Sequence, residues 1–226
     1  MQSGSWKKNL IPFISILSAI FPLAFGEKTG DTLNKKLENK TALITGANRG
    51  LGYEIARHFL LDGANLMLCA RDHKKLEEAA YKLKDIALPN QKISFFSADI
   101  SVPDQVNLLF STTLSEMGDC HILVNNAGIY GPMGATEETD WEKWKQAIET
   151  NFFGSVLTIR AVLSHFKKQK YGKIIQLSGG GATNPLPNLS AYAASKASII
   201  RFIETVAEEV KGDGIDVNAI APGALN

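Results

Sequence analysis

Tyr192 and Lys196 stand four residues apart in the run Tyr192-Ala-Ala-Ser-Lys196. On a helix that spacing puts both side chains on one face. A phenol ordinarily loses its proton at about pH 10. A neighbouring ammonium, or a further positive charge beside it, favours the phenolate and lowers that value. A tyrosine so placed can exchange a proton with an alcohol or a carbonyl near neutral pH. Such a pair also arises by chance on helix surfaces, so its meaning depends on what accompanies it.

What accompanies it first is a glycine-rich turn. Gly46, Gly50 and Gly52 lie in Thr41-Ala-Leu-Ile-Thr-Gly-Ala-Asn-Arg-Gly-Leu-Gly52, between an apolar strand and a helix with apolar residues at Ile55, Phe59 and Leu60. Glycines there let phosphates approach the backbone, and the N–H groups and positive end of the helix attract an anion. The turn is either a dinucleotide pyrophosphate site or an ordinary strand-to-helix connection, and its G-x-x-x-G-x-G spacing departs from the general G-x-G-x-x-G form. The sequence downstream bears on the choice. At the position where an acid would bind a ribose 2′-hydroxyl there is Ala70, followed by Arg71, and Arg49 lies inside the turn. Two guanidinium groups near one ribose suit a 2′-phosphate and favour NADP(H) over NAD(H). Asp99, in Ala98-Asp99-Ile100, either accepts from an adenine amino group or caps the helix opened by Pro103. Asn125-Asn126-Ala127-Gly128 either admits a cofactor closely or makes a plain turn. Ser178-Gly179-Gly180-Gly181 precedes the tyrosine.

These residues need a scaffold, and the hydrophobic pattern describes one. Apolar runs at 41–45, 65–69, 92–97, 121–124, 172–177 and 215–220 read as strands. Helical periodicity covers 53–61, 72–86, 103–117, 140–168 and 190–210. Strands alternating with helices imply parallel pairing through right-handed crossovers. The expected fold is α/β, a doubly wound Rossmann-type sheet with helices on both faces and ligands at the carboxyl ends of its strands. The chain has 226 residues and a net charge of +1, which argues against nucleic-acid binding. Cys69 and Cys120 form no spaced ligand set; they read as buried thiols of a reducing compartment, and no metal site is expected. Lys7 and Lys8 precede an uncharged run of 16 residues from Leu10 to Phe25. It is shorter than the roughly 20 residues of a comfortable membrane span, and reads as a signal-like core, a membrane-surface anchor or a helix packed on the domain. Residues 1–26 are thus set apart, 27–39 form a polar linker, and the domain occupies 40–226.

Taken in order, the motifs resemble the short-chain dehydrogenase/reductase family: TGANRGLG at 45–52, ADI at 98–100, NNAG at 125–128, TNFFG around Asn151, YAASK at 192–196 and VNAIAPG at 217–223. The resemblance implies an NADP(H)-dependent oxidoreductase acting on a small carbonyl or alcohol. Tyr192 is then the general acid/base, Lys196 lowers its pKa and binds the nicotinamide ribose, Asn151 holds a relay water, and a serine polarises the substrate carbonyl. The cofactor is expected against Gly46, Asn48, Arg49, Gly50, Leu51, Gly52, Arg71, Asp99, Ile100, Asn125, Ala127, Gly128, Tyr192, Lys196, Pro222 and Gly223. Two departures stand out. The serine of the family falls thirteen residues before the tyrosine, at Gly179; Ser178 is the expected substitute through a loop one residue longer, with Thr183 and Ser190 behind it. The sequence also ends at Asn226, just past Pro222-Gly223, where the family continues. It therefore reads as carboxyl-truncated after the sixth strand, with a sheet edge prone to aggregation, and a homo-oligomer is expected for the full-length form. The competing reading is a dinucleotide-binding protein without turnover.

Overall fold

The computed structural model describes residues 35–222. The apolar run, most of the linker and Gly223 to Asn226 lie outside them. Six strands form one parallel sheet: β1 (Thr41–Thr45), β2 (Asn65–Ala70), β3 (Ile93–Ser97), β4 (Ile122–Asn125), β5 (Gly172–Leu177) and β6 (Ile215–Ile220), in the order β3-β2-β1-β4-β5-β6. The order reverses beside β1 and β4, which opens a crevice at their carboxyl ends. This is the doubly wound sheet that the alternating pattern predicts.

The alternation of side chains along each strand builds two cores. Ile44, Leu66, Leu68, Val124 and Ile175 point to one face and meet α1 (Gly50–Leu61) and α2 (His73–Lys84). Leu43, Met67, Leu123 and Ile174 point to the other and meet α3 (Pro103–Met117), α5 (Gly154–Gln169) and α6 (Ser190–Glu209). With both faces covered, β1 is buried at every residue. Among the described residues, no helix is long and apolar enough to cross a membrane. Cys69 and Cys120 are free and buried, and burial pushes both thiols up to about 12.

The structure corrects the sequence at two helices. The first begins at Gly50, three residues ahead of Tyr53, because the glycine turn itself winds into it. The long helix expected over 140–168 is broken into α4 (Trp141–Ile148), a wide π-type turn at Glu149–Phe153, and α5. Asn151 sits in that turn and its side chain bonds outward to Ile129, as described below. Gly154 follows where a Cβ would stand 2.7 Å from Ile100 Cγ1. Single π turns of this kind occur often at functional sites.

Candidate active site

Two adjoining clefts open at the carboxyl ends of the strands. The first, about 490 Å³, is lined by the glycine turn, the ends of β2 and β3, and Asn126 to Ile129. Gly50 has φ +57°, a left-handed conformation that favours glycine, and no atom lies within 4 Å of where its Cβ would stand. Gly52 is needed for a different reason: a Cβ there would stand 2.2 Å from the Gly46 carbonyl oxygen and 2.4 Å from Asn126 Nδ2. Asn126 locks this arrangement, its Nδ2 donating to the carbonyls of Thr45 and Gly46 at 3.1 Å each, while Thr45 Oγ1 accepts from the N–H groups of Asn126 and Ala127. The result is a bare backbone cradle ahead of α1, shaped for a phosphate-bearing ligand.

At the far end of this cleft the charges are mixed. Arg49, Arg71 and Lys75 line it together with Asp72 and Asp99. Arg71 Nη1 stands 3.6 Å from Asp99 Oδ2, and both side chains are partly exposed. Asp99 does not cap α3, whose N-cap is Val102 without a side-chain bond. Instead Asp99 Oδ1 accepts from Ser101 N at 2.9 Å and Ser101 Oγ at 2.6 Å, an Asx turn. Burial acts to raise the Asp99 pKa, but those bonds and the Arg71 charge outweigh it and hold the carboxyl below its ordinary value. Asp72 caps α2 by accepting from Lys75 N, and Lys75 Nζ returns to it at 2.9 Å.

The second cleft, about 450 Å³, continues from Gly128 past Tyr192 and Lys196 to Pro222. Lys196 is buried on α6, and its Nζ donates to the Leu177 carbonyl at 2.9 Å and lies 5.6 Å from the centre of the Tyr192 ring. Burial lowers its pKa to about 8. The expected depression of the Tyr192 phenol is not found in the cofactor-free chain: burial, then Tyr130, hold that phenol above its ordinary value. The physical reason is that the ammonium is aimed at Leu177 rather than at the phenol oxygen.

The structure also separates residues that the sequence grouped. A Cβ on Gly179 would lie 2.3 Å from the Tyr192 hydroxyl, so bare backbone, not a serine, abuts the phenol. Ser178 lines the same cleft, but its Oγ is buried without a hydrogen-bond partner. Thr183 is exposed, and Ser190 Oγ accepts from Trp144 Nε1, so neither fallback stands at the tyrosine. Asn151 is buried, with Oδ1 accepting from Ile129 N and Nδ2 donating to Ile129 O and Ser195 Oγ; its side chain is a clamp on the loop after β4. Asn125 is the last residue of β4, its side chain buried against Ser155 O and Thr158 Oγ1, and of this pair it is Asn126 that lines both clefts. Sequence reasoning named Asn126 and Thr45 only inside the runs Asn125–Gly128 and TGANRGLG, without their mutual bonds, and passed over Asp72, Lys75 and Tyr130 as site residues. Nothing in the sequence singles out Tyr130.

Comparison with known proteins fits this geometry. The family model for short chain dehydrogenases matches residues 40–226. An 11-beta-hydroxysteroid dehydrogenase 1A of Arabidopsis thaliana is 35% identical over 94% of this chain, which spans 58% of that relative's length. Among solved structures, a metagenomic short-chain oxidoreductase in complex with NADP superposes with a TM-score of 0.77 at 30% identity, covering 84% of each chain. A 3-ketoacyl-(acyl-carrier-protein) reductase from Brucella melitensis complexed with NADH gives 0.78 at 32% identity, covering 83% of this chain and 76% of its own. With the glycine cradle, the Tyr192–Lys196 pair and a family model matched over its whole described domain, the chain belongs to the short-chain dehydrogenases.

Proposed function

We propose that the protein is an oxidoreductase that interconverts a small carbonyl compound and its alcohol with a nicotinamide dinucleotide. The observation that carries the reading is one continuous trough from a phosphate cradle that no Cβ can enter, at Gly46 and Gly52, to a tyrosine and a buried lysine. The family model and solved relatives support it, two of the latter being named with NADP and NADH. Asn48, Arg49, Gly50 and Leu51 hold the phosphates, Ile100, Ala127 and Gly128 form the floor, and Lys196 and Pro222 flank the far end. Gly223, proposed beside Pro222, lies outside the described residues. When bound in reduced form, the nicotinamide supplies the hydride that converts a carbonyl carbon to an alcohol carbon. Tyr192 delivers the proton to the carbonyl oxygen. Its raised pKa keeps the phenol protonated in the free chain, ready for the reductive direction. Lys196, once turned from Leu177 toward a ribose, holds that sugar and stabilises the phenolate left behind. Ser178 supplies a hydroxyl toward the substrate oxygen; an unpartnered buried hydroxyl is costly, and function is one reason for keeping it. Asn151 holds the loop that forms the wall, and beyond that position a relay water is part of the proposal.

NADP(H) is the proposed preference, because Arg49, Arg71 and Lys75 outnumber Asp72 and Asp99 at the end of the first cleft, and both acids already have cationic partners. The test is fluorescence titration with NADPH and NADH, followed by a carbonyl panel read as loss of NADPH absorbance. Binding of NADPH with turnover of one or more carbonyls supports the reading, and failure of both nucleotides to bind contradicts it. A second reading, a dinucleotide-binding protein without turnover, is favoured by one observation: bare backbone meets the phenol at Gly179. Tight NADPH binding with no turnover across the panel selects it.

A further inference from the structure

We propose that Tyr130 is the specificity-determining wall of the substrate subsite and that it selects an uncharged carbonyl compound carrying a flat ring. This rests on the oxidoreductase reading above and deepens it. The Tyr130 ring lies 5.0 Å from the ring of Tyr192, tilted by 41°, so the two aromatic planes stand side by side in one cleft. Tyr130 is nevertheless 58% exposed. An apolar ring held in the open at a cleft mouth is a ready surface for another ring to stack on.

Its position is not left to chance. The preceding residue, Ile129, is clamped at both its N–H and its carbonyl by Asn151 at 2.8 Å. The following residue, Gly131, packs where a Cβ would stand 2.8 Å from Ala147 Cβ. A little further on, Gly134 N donates to the Asn188 carbonyl at 3.0 Å. The loop is therefore set before any ligand arrives, and ordering it adds nothing to the cost of binding.

The chemistry of the cleft defines the class of ligand. Ile129, Leu186 and Pro222 line it beside Tyr130, and no carboxylate does among the described residues. The charged group that lines it, Lys196, is buried with its ammonium on Leu177. An anionic substrate would therefore lack a counter-charge at the surface, and a neutral one has apolar contact. Gly179 adds no side chain at the hydroxyl, so the bulk beside the reacting oxygen is set by Tyr130. A flat ring can lie on Tyr130 while its carbonyl oxygen reaches Tyr192.

The test uses the full chain with saturating NADP⁺, which cannot reduce a ketone, so that binding is read without turnover. Two neutral ketones of equal carbon number are compared by calorimetry, the bicyclic aromatic 1-tetralone and the linear 2-decanone. The wild type is expected to bind 1-tetralone at least about tenfold more tightly, a difference of about 1.4 kcal/mol. Tyr130→Ala should lose that advantage and leave 2-decanone within twofold. Tyr130→Phe, which keeps the ring and removes the hydroxyl, should retain it. Equal loss for both ketones, no loss in Tyr130→Ala, or a Tyr130→Phe variant as weak as Tyr130→Ala overturns the proposal. Unchanged NADP⁺ affinity shows that each variant is folded. Should 1-tetralone binding behave as expected while NADPH turns over no ketone, it is the oxidoreductase reading that fails and not the wall.

Discussion

At the scale of single residues, the site is governed by what each oxygen can and cannot reach. Ser178 Oγ is a buried hydroxyl with no partner, and leaving such a group unsatisfied costs about 1–3 kcal/mol. Ser178→Ala should therefore raise unfolding free energy, by about 1 kcal/mol, while lowering turnover. Chemical denaturation and initial rates on the same preparation check both, and unchanged turnover would remove the serine from the mechanism. Gly179→Ala should act through sterics: its Cβ would lie 2.3 Å from the Tyr192 hydroxyl, so the phenol must shift. A misplacement on this scale costs about 10²-fold in rate, with NADPH affinity kept. At the other end of the trough, Arg71→Ala should weaken NADPH selectively, by about 1.5–3 kcal/mol if the guanidinium bonds the 2′-phosphate. Paired titrations with NADH check this, and equal weakening of both cofactors would speak against that contact.

At the scale of elements, the π turn at Glu149–Phe153 and the loop after β4 work as one unit, joined by Asn151. Asn151→Ala leaves the partly buried N–H and carbonyl of Ile129 without their partner, while Ser195 Oγ keeps its bond to Tyr192 O, and should cost about 1–3 kcal/mol of stability. Thermal unfolding of variant and wild type measures it. Much of this level was legible in advance. The strand periodicity placed β1, β5 and β6 to the residue; β1 and β5 are buried almost throughout, and such runs announce themselves by composition. The break in the 140–168 helix was not legible, since what accompanies it is a contact between Asn151 and Ile129, 22 residues away in sequence. The same holds inside the site. Tyr192 and Lys196 could be paired from helical spacing, whereas the approach of Gly179 to the phenol and of Tyr130 to its ring depends on how two loops meet α6.

At the scale of the whole molecule, the proposed cofactor trough occupies the carboxyl ends of the strands, and a network of histidines and Asp119 occupies the opposite ends. Thr41 N donates to His121 Nδ1 at 3.1 Å, and Asp119 receives His165 Nε2 at 2.7 Å with His121 Nε2 at 3.5 Å. Burial, with help from Lys40 and His165 and against Asp119, holds the His121 pKa below its ordinary value; His58 is lowered likewise, by burial and Arg57. A depressed histidine binds fewer protons folded than unfolded. The histidine contribution to stability is therefore full above about pH 6.5 and falls as the pH drops from there through the folded values. Lys196, lowered to about 8, has the same sign in a higher window. Cys69 and Cys120, held up to about 12, bind more protons folded than unfolded and act oppositely above about pH 8.5. Two thiols outweigh one lysine, so stability should fall as the pH climbs from about 9 toward 10.5. Denaturant unfolding across pH 5–10 tests both limbs. His121→Asn should make the acid limb shallower, and an unaltered slope would show that His121 does not control it.

The central claim is that a protonated Tyr192 serves a bound nicotinamide dinucleotide. It is tested most directly by comparing wild type and Tyr192→Phe for NADPH affinity and for carbonyl-dependent NADPH oxidation. The substitution keeps the ring against Tyr130 and removes the proton. The account predicts turnover lower by about 10²-fold or more with NADPH affinity within twofold of wild type. Turnover retained in Tyr192→Phe would contradict it.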